Sequence, residues 1–255
     1  MSSATRIKCR WENGIQLFYD DTTYETVNVN APFYFYDDFT GLVGQVLAAD
    51  AAQTWGVIDV SAAGLTTPII LPGTAVSGAT GVVEIMMDVG QNEAQDSGIY
   101  WADQTPISIL NDVQFECRLA MHTIPGAATV GVWGMCGAHN LDKDTIAESA
   151  WFRIEGSGAL LLETQDTTNN NDDVATGITL VADEYHIFRI DFSAIADVKF
   201  YMDGVRLAPA TTFDMSNLTA IEAMMQPYFM LDHAAVAQAG SSVISSFGVV
   251  PVYSI

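Results

Sequence analysis

The sequence predicts an all-β protein, an antiparallel sandwich of two sheets. Three observations carry that reading. Short runs of alternating apolar and polar residues recur along the chain, two-residue Asn-Gly and Asp-Gly turns join some of them, and polar or Gly-rich punctuation separates the rest. A chain of 255 residues, 49% hydrophobic and 10% aromatic, can bury a large core, and all-β sandwiches of this length form single domains.

The first element is an arm, residues 1–30. In "IKCRWENGIQLFYD" the pair Asn13-Gly14 supplies a two-residue turn between Ile7–Trp11 and Ile15–Tyr19, which predicts a β-hairpin. A lone two-stranded hairpin is marginal in water, so it must pack on the main domain or on a partner. Ile7, Trp11, Ile15, Leu17 and Phe18 are the apolar residues available for partner binding, by adding strands to a neighbour's sheet edge or filling a groove. The polar stretch "DDTTYETVNVNAP" then connects to a sandwich domain over 31–255.

Within that domain, strands are expected over 81–89 (GVVEIMMDV), 113–121 (VQFECRLAM), 128–136 (ATVGVWGMC), 149–156 (SAWFRIEG) and 159–164 (ALLLET). Further strands are expected over 185–192 (YHIFRIDF), 227–233 (PYFMLDH) and 242–250 (SVISSFGVV). "VKFYMDGVRL", 198–207, reads as a hairpin turning at Asp203-Gly204. A helix is expected only over 217–225, where Asn217 can cap "NLTAIEAMM" and Pro227 ends the pattern. No internal repeat of 20 to 50 residues is visible.

"WFRIEGSGALLLETQD" followed by "YHIFRIDFSAIADVKFYMDGVRL" resembles consecutive strands of the concanavalin A-like jelly roll in its laminin G-like form. An aromatic-His pair precedes one alternating strand there, and the next strand ends in Asp-Gly. Phe33–Phe39 and Val243–Val250 resemble the first and last strands, which pair in that fold. The resemblance spans roughly 35–250 and concerns framework residues, so it implies architecture more than activity.

Charge and cysteines restrict function. Nine Lys and Arg stand against 31 Asp and Glu, for a formal net charge of −22. The few cations are scattered along the sequence, so nucleic acid and anionic membrane are not expected partners. Solubility explains the acidity, and steering towards a basic protein surface is the sharper alternative. Cys9, Cys117 and Cys136 are odd in number and lack metal-ligand spacing, and no basic-then-apolar signal peptide is seen, so reduced thiols in a protein made in a cytoplasm are expected.

Candidate chemistry lies in four places. The retaining β-glucanases of the superfamily carry Glu-x-Asp-x-Glu on one strand. In "VVEIMMDVGQNE" Glu84 fits the first position, but Met86 and Asp88 stand at the other two. Residues four apart on a regular strand lie about 13 Å apart, beyond the roughly 5 to 9.5 Å that glycoside cleavage uses. His122, His139, His186 and His233 have no ligand spacing. Asp142 with Asp144, and Asp172 with Asp173, form oxygen-rich segments suited to a hard cation, but without a committed calcium rhythm, and they read as polar loops. Tyr100 and Trp101, after the polar "QNEAQDSG", are the expected ligand-facing aromatics, whereas Trp133 reads as core and His139 and Asn140 as rim.

No catalytic, metal or cofactor site is therefore expected, and the protein reads as non-enzymatic. A stable acidic sandwich with an N-terminal arm resembles the jelly-roll accessory proteins of tailed phages. That resemblance implies a capsid decoration protein in the virion, made in the host cytoplasm, binding capsid or another virion protein and forming a homo-oligomer. The alternative is a lectin-like module with a glycan ligand.

Overall fold

The computed structural model describes residues 7–12, 15–20, 55–61, 69–71, 82–85, 87, 93–126 and 128–234. The chain divides into two compact units, residues 1–34 with 255 and residues 35–254.

In the first unit, β1 (Ile7–Glu12) and β2 (Ile15–Asp20) pair antiparallel, with Glu12 opposite Ile15, Trp11 opposite Gln16, Leu17 opposite Arg10 and Phe18 opposite Cys9. Closing the register at Glu12 and Ile15 leaves two residues for the connection, the length that Asn-Gly favours.

The second unit begins with β3 (Gly56–Val60), β4 (Ile69–Leu71), β5 (Val82–Glu84), β6 (Gln95–Tyr100) and β7 (Ile107–Ser108). It continues with β8 (Gln114–Leu119), β9 (Thr129–Cys136), β10 (Ser149–Glu155), β11 (Ala159–Gln165) and β12 (Asn170–Thr179). β13 (His186–Asp191), β14 (Lys199–Met202), β15 (Val205–Arg206) and β16 (Met224–His233) complete it. The larger sheet runs β12-β11-β10-β9-β16-β6-β3, with β7 also on β16, and the smaller runs β15-β14-β13-β8. β4 and β5 pair separately, and every pairing among the described residues is antiparallel.

Alternation decides which side chains meet between the sheets. On β10 Ala150, Phe152 and Ile154 are buried in the main core, and on β9 Trp133 and Met135 join them. From the smaller sheet Phe188 meets Trp133 at 5.0 Å and Phe152 at 5.0 Å, while Phe200 meets Phe152 edge-on at 5.3 Å. These contacts weld the two layers, and aromatic pairs in such geometry add about 0.5–1.5 kcal/mol beyond their buried area. A second, smaller cluster of Ile58, Val132, Cys136, Ile146, Trp151, Tyr228 and Met230 is distinct from that core. Strand order also requires close backbone approach: a Cβ on Gly98 would stand 2.4 Å from the Phe229 carbonyl oxygen.

The Asp203-Gly204 hairpin forms as expected, with both residues at positive φ (50° and 79°) between β14 and β15. Asp203 further accepts from the Ile187 N–H at 2.9 Å and contacts His186 Nδ1 at 2.7 Å, so the turn is tied to β13. The helix expected over 217–225 does not form. Thr219 and Glu222 cap each other around one turn, and Met224 and Met225 are then captured by cross-strand pairing with β7. Sheet pairing overrides the local helical pattern there. The expected strands over 33–39 and 242–250 lie outside the described residues.

Candidate functional site

β10 and β11 turn alternate side chains away from the main core, and that outer face is where unusual chemistry collects. Trp151 lies opposite Glu163 in the register, so the Trp151 indole N–H donates to Glu163 Oε2 at 2.5 Å. Two residues along β10, Arg153 is nearly buried and surrounded by carboxylates. Its Nη1 stands 2.9 Å from Asp144 and 3.1 Å from Glu163, its Nη2 2.6 Å from Glu155, and its Nε 3.6 Å from Asp173. Burying a guanidinium is costly unless it is fully compensated, and here anions outnumber the cation.

The consequences are electrostatic. Burial opposes the Arg153 charge, but Glu163, Glu155 and Asp144 more than offset it and raise its pKa, so it stays cationic. Burial pushes the Glu163 carboxyl up to about 7, and repulsion from Asp173 with a shared hydrogen bond works in the same direction, against Trp151 and Arg153. Burial acts on Asp144 too, but Lys143 and Arg153 hold its carboxyl below the usual range. One carboxyl that keeps its proton near neutrality thus shares Arg153 with Asp144, which is held ionised. These groups line a pocket of about 260 Å³, walled by Asp144, Trp151, Arg153, Glu163, Asn170 and Asp173 among others.

Carboxylate oxygens of Glu163, Asp172 and Asp173 lie within 4.8 Å of one another, a spacing open to a metal ion. Arg153 already supplies positive charge to two of the three, so a metal would have to displace a bonded guanidinium. The acidic segments expected as loops are placed differently by the fold. Asp172 and Asp173 lie on the edge strand β12, and Asp144 lies in a 3-10 turn, Lys143–Thr145, whose cap is Asp142. Arg153 brings Asp144 and Asp173 together.

The same 3-10 turn straps the outer face. Lys143 Nζ donates to Asp232 at 2.7 Å, Asp144 holds Arg153, and Ile146 is buried with Val132, Trp151 and Tyr228. Beyond the strap Asp232 stands directly opposite Asp96, whose carboxyl burial and Asp232 push up to about 6. At the rim Tyr100 stacks on His139 with centroids 4.0 Å apart, and Asp103, at φ 58°, accepts from the His139 N–H at 2.8 Å and from Gln226 at 2.9 Å.

The expected ligand-facing pair is split. Tyr100 lies half-buried on the outer face, but Trp101 is in the core, 5% exposed and 6.1 Å from Trp55. Consecutive residues at the end of a strand face opposite ways, so both could not reach one ligand. Trp133 is fully buried. Glu84 is half-buried on β5, and its proposed partner Asp88 lies outside the described residues. Cys117 and Cys136 are unpaired and buried, and burial pushes both thiols well up, which leaves them inert as nucleophiles. Of the arm residues Ile7, Trp11, Ile15, Leu17 and Phe18, only the strand positions given above are described. Sequence reading treated Trp151, Arg153 and Glu163 as framework. The available signal was a charge between Phe152 and Ile154, because Arg inside an apolar strand is seldom buried without a partner.

No protein-family model and no curated protein matches the sequence. Solved structures of similar architecture do. The carbohydrate recognition domain of Emp47p superposes with TM-score 0.50 at 10% identity, over 89% of this chain and 100% of that one. A Bacillus licheniformis β-glucanase gives 0.49 at 13%, over 87% and 98%. A carbohydrate esterase of the Shiga toxin-encoding bacteriophage phi24B gives 0.45 at 13%, over 81% and 97%. Such identities show the fold alone. The expectation that the chain is not an enzyme is corrected by these neighbours, which include a β-glucanase and a carbohydrate esterase. The body of this chain is, as expected, an antiparallel two-sheet jelly-roll sandwich.

Proposed function

We propose that the protein recognises a carbohydrate, taking one sugar residue of a glycan into the pocket around Arg153, Glu163 and Asp173. The observation that carries this reading is the fixed array of planar polar groups lining about 260 Å³. Sugar hydroxyls donate and accept at once, and a wall that alternates guanidinium donors with carboxylate acceptors matches them. Arg153 is already held by Glu155 and Asp144, so little side-chain freedom remains to be lost on binding. Asp144, from the 3-10 turn Lys143–Thr145, adds a further acceptor to the pocket wall. Carbohydrate is also the ligand class named for the Emp47p domain.

Glu163 favours a second reading, cleavage of the bound sugar. A carboxyl that stays protonated to about pH 7 with a second carboxyl group, Asp173, beside it resembles the general-acid arrangement of glycoside hydrolysis.

Glycan-array screening of the whole chain, followed by calorimetry on the hits, tests both readings. Asp173→Asn and Glu163→Gln are expected to weaken binding at least about tenfold while the circular dichroism of the folded protein persists. Release of reducing ends by the wild type, lost in Glu163→Gln, would establish cleavage. Absence of any glycan ligand, or variants that bind as the wild type does, would overturn the proposal.

A further inference from the structure

The cations of this acidic chain are not spread over the body as they are along the sequence. Four of the nine, Arg118, Arg189, Lys199 and Arg206, fall on the outer face of the four-stranded sheet. The register places them in rows: Arg118 beside Ile187, then Glu116–Arg189–Tyr201–Arg206, then Gln114–Asp191–Lys199. Among the described residues Glu116 and Asp191 are the carboxylates paired in these rows, Asp203 accepts from the Ile187 N–H at 2.9 Å at the end of the first, and Asp197 reaches Arg206 at 3.3 Å from the adjoining loop. Two guanidinium groups lie over tyrosine rings, Arg118 over Tyr185 at 4.0 Å and Arg189 over Tyr201 at 4.2 Å. Ile187, 44% exposed, sits among them.

We propose that this face is the surface through which two copies of the chain associate. Two molecules of formal charge −22 repel wherever carboxylates meet, and they approach at least cost through a face where both signs are interspersed. Turned through a two-fold axis between β13 and β14, Asp191 of one copy faces Lys199 of the other and Glu116 faces Arg206, which is the self-complementarity that such an axis requires. Arg and Tyr are the residues that dominate interface energetics, and stacking on the rings pre-orders the guanidinium groups. β8 and β13 are six residues long, β14 four and β15 two, so at about 4.8 Å per strand and about 3.4 Å per residue the face covers roughly 300 Å². That is under half of what each partner contributes to a stable complex, so the dimer is weak and concentration-dependent. This inference is independent of the glycan reading.

Sedimentation of the whole chain over a concentration series tests it. A monomer–dimer equilibrium is expected in the micromolar-or-weaker range that a small face supports. Arg189→Glu and Ile187→Asp should raise the dissociation constant at least about tenfold, whereas Ile221→Asp, at another exposed apolar position, should leave it unchanged. Hydroxyl-radical footprinting of the wild type needs no variant, and labelling of Tyr201 should fall with concentration. A wild type that stays monomeric, or association indifferent to Arg189 and Ile187 with constant Tyr201 labelling, would overturn the proposal.

Discussion

Glu163→Gln is the change that reaches furthest into the pocket. In the folded protein the Glu163 carboxyl is pushed from 4.5 up to about 7, first by burial and then by Asp173. An acid whose pKa rises on folding contributes stability in full below its unfolded value, and that contribution is lost as pH climbs through the folded value. The window here runs from 4.5 to about 7, and at about 1.4 kcal/mol per pH unit it corresponds to roughly 3 kcal/mol. Glutamine keeps the size of the side chain and an oxygen to accept from Trp151, but it does not ionise. Asp96, also raised, adds a slope of the same sign to both proteins and cancels in the comparison. Urea denaturation of both proteins, from pH 4.5 upward past neutrality, gives the difference directly. Wild-type stability minus variant stability should fall by about 3 kcal/mol across the window. A constant difference, or one that grows with pH, would mean that Arg153 keeps Glu163 ionised throughout and that the protonated carboxyl does not exist.

Other expectations test the fold and the arm. Trp101→Ala should cost about 3–5 kcal/mol in urea denaturation, because it empties a core position, and should leave glycan affinity of the folded fraction intact. Gly98→Ala should lose about 3 kcal/mol, since its Cβ meets the Phe229 carbonyl and β6 must part from β16. Deleting residues 1–28 tests the expectation of a docking arm. If the arm binds a virion shell, the truncated chain stays folded and loses attachment to particles in a pelleting assay, whereas unchanged attachment would remove the arm from any such role.

The fold was legible where a strand buries one face. Phe188 and Ile190 alternate with Ile187 and Arg189, and the period of two is visible without coordinates. β12 was not legible, because an edge strand with polar residues on both faces, "NNDDVATGIT", reads as a loop. β6, "QDSGIY", hid for a related reason: it is a central strand carrying Gln95, Ser97 and Gly98 in buried positions. Thr219 to Met225 misled in the other direction, since a capped turn and a periodic apolar run imitate a helix until β7 claims its last residues. The pocket could not be read from spacing, because Asp144, Arg153, Glu163 and Asp173 come from four separate segments and meet only through strand register and the strap.

The most direct test of the pocket uses the Trp151 indole N–H, which points at Glu163 from within it. In a titration of the chain with its best array ligand, followed by proton–nitrogen correlation spectra, that resonance should move saturably with the calorimetric affinity, and the buried indole of Trp133 should stay in place. Saturable binding that leaves the Trp151 resonance unmoved while shifting residues elsewhere would place the ligand outside the pocket and contradict the account.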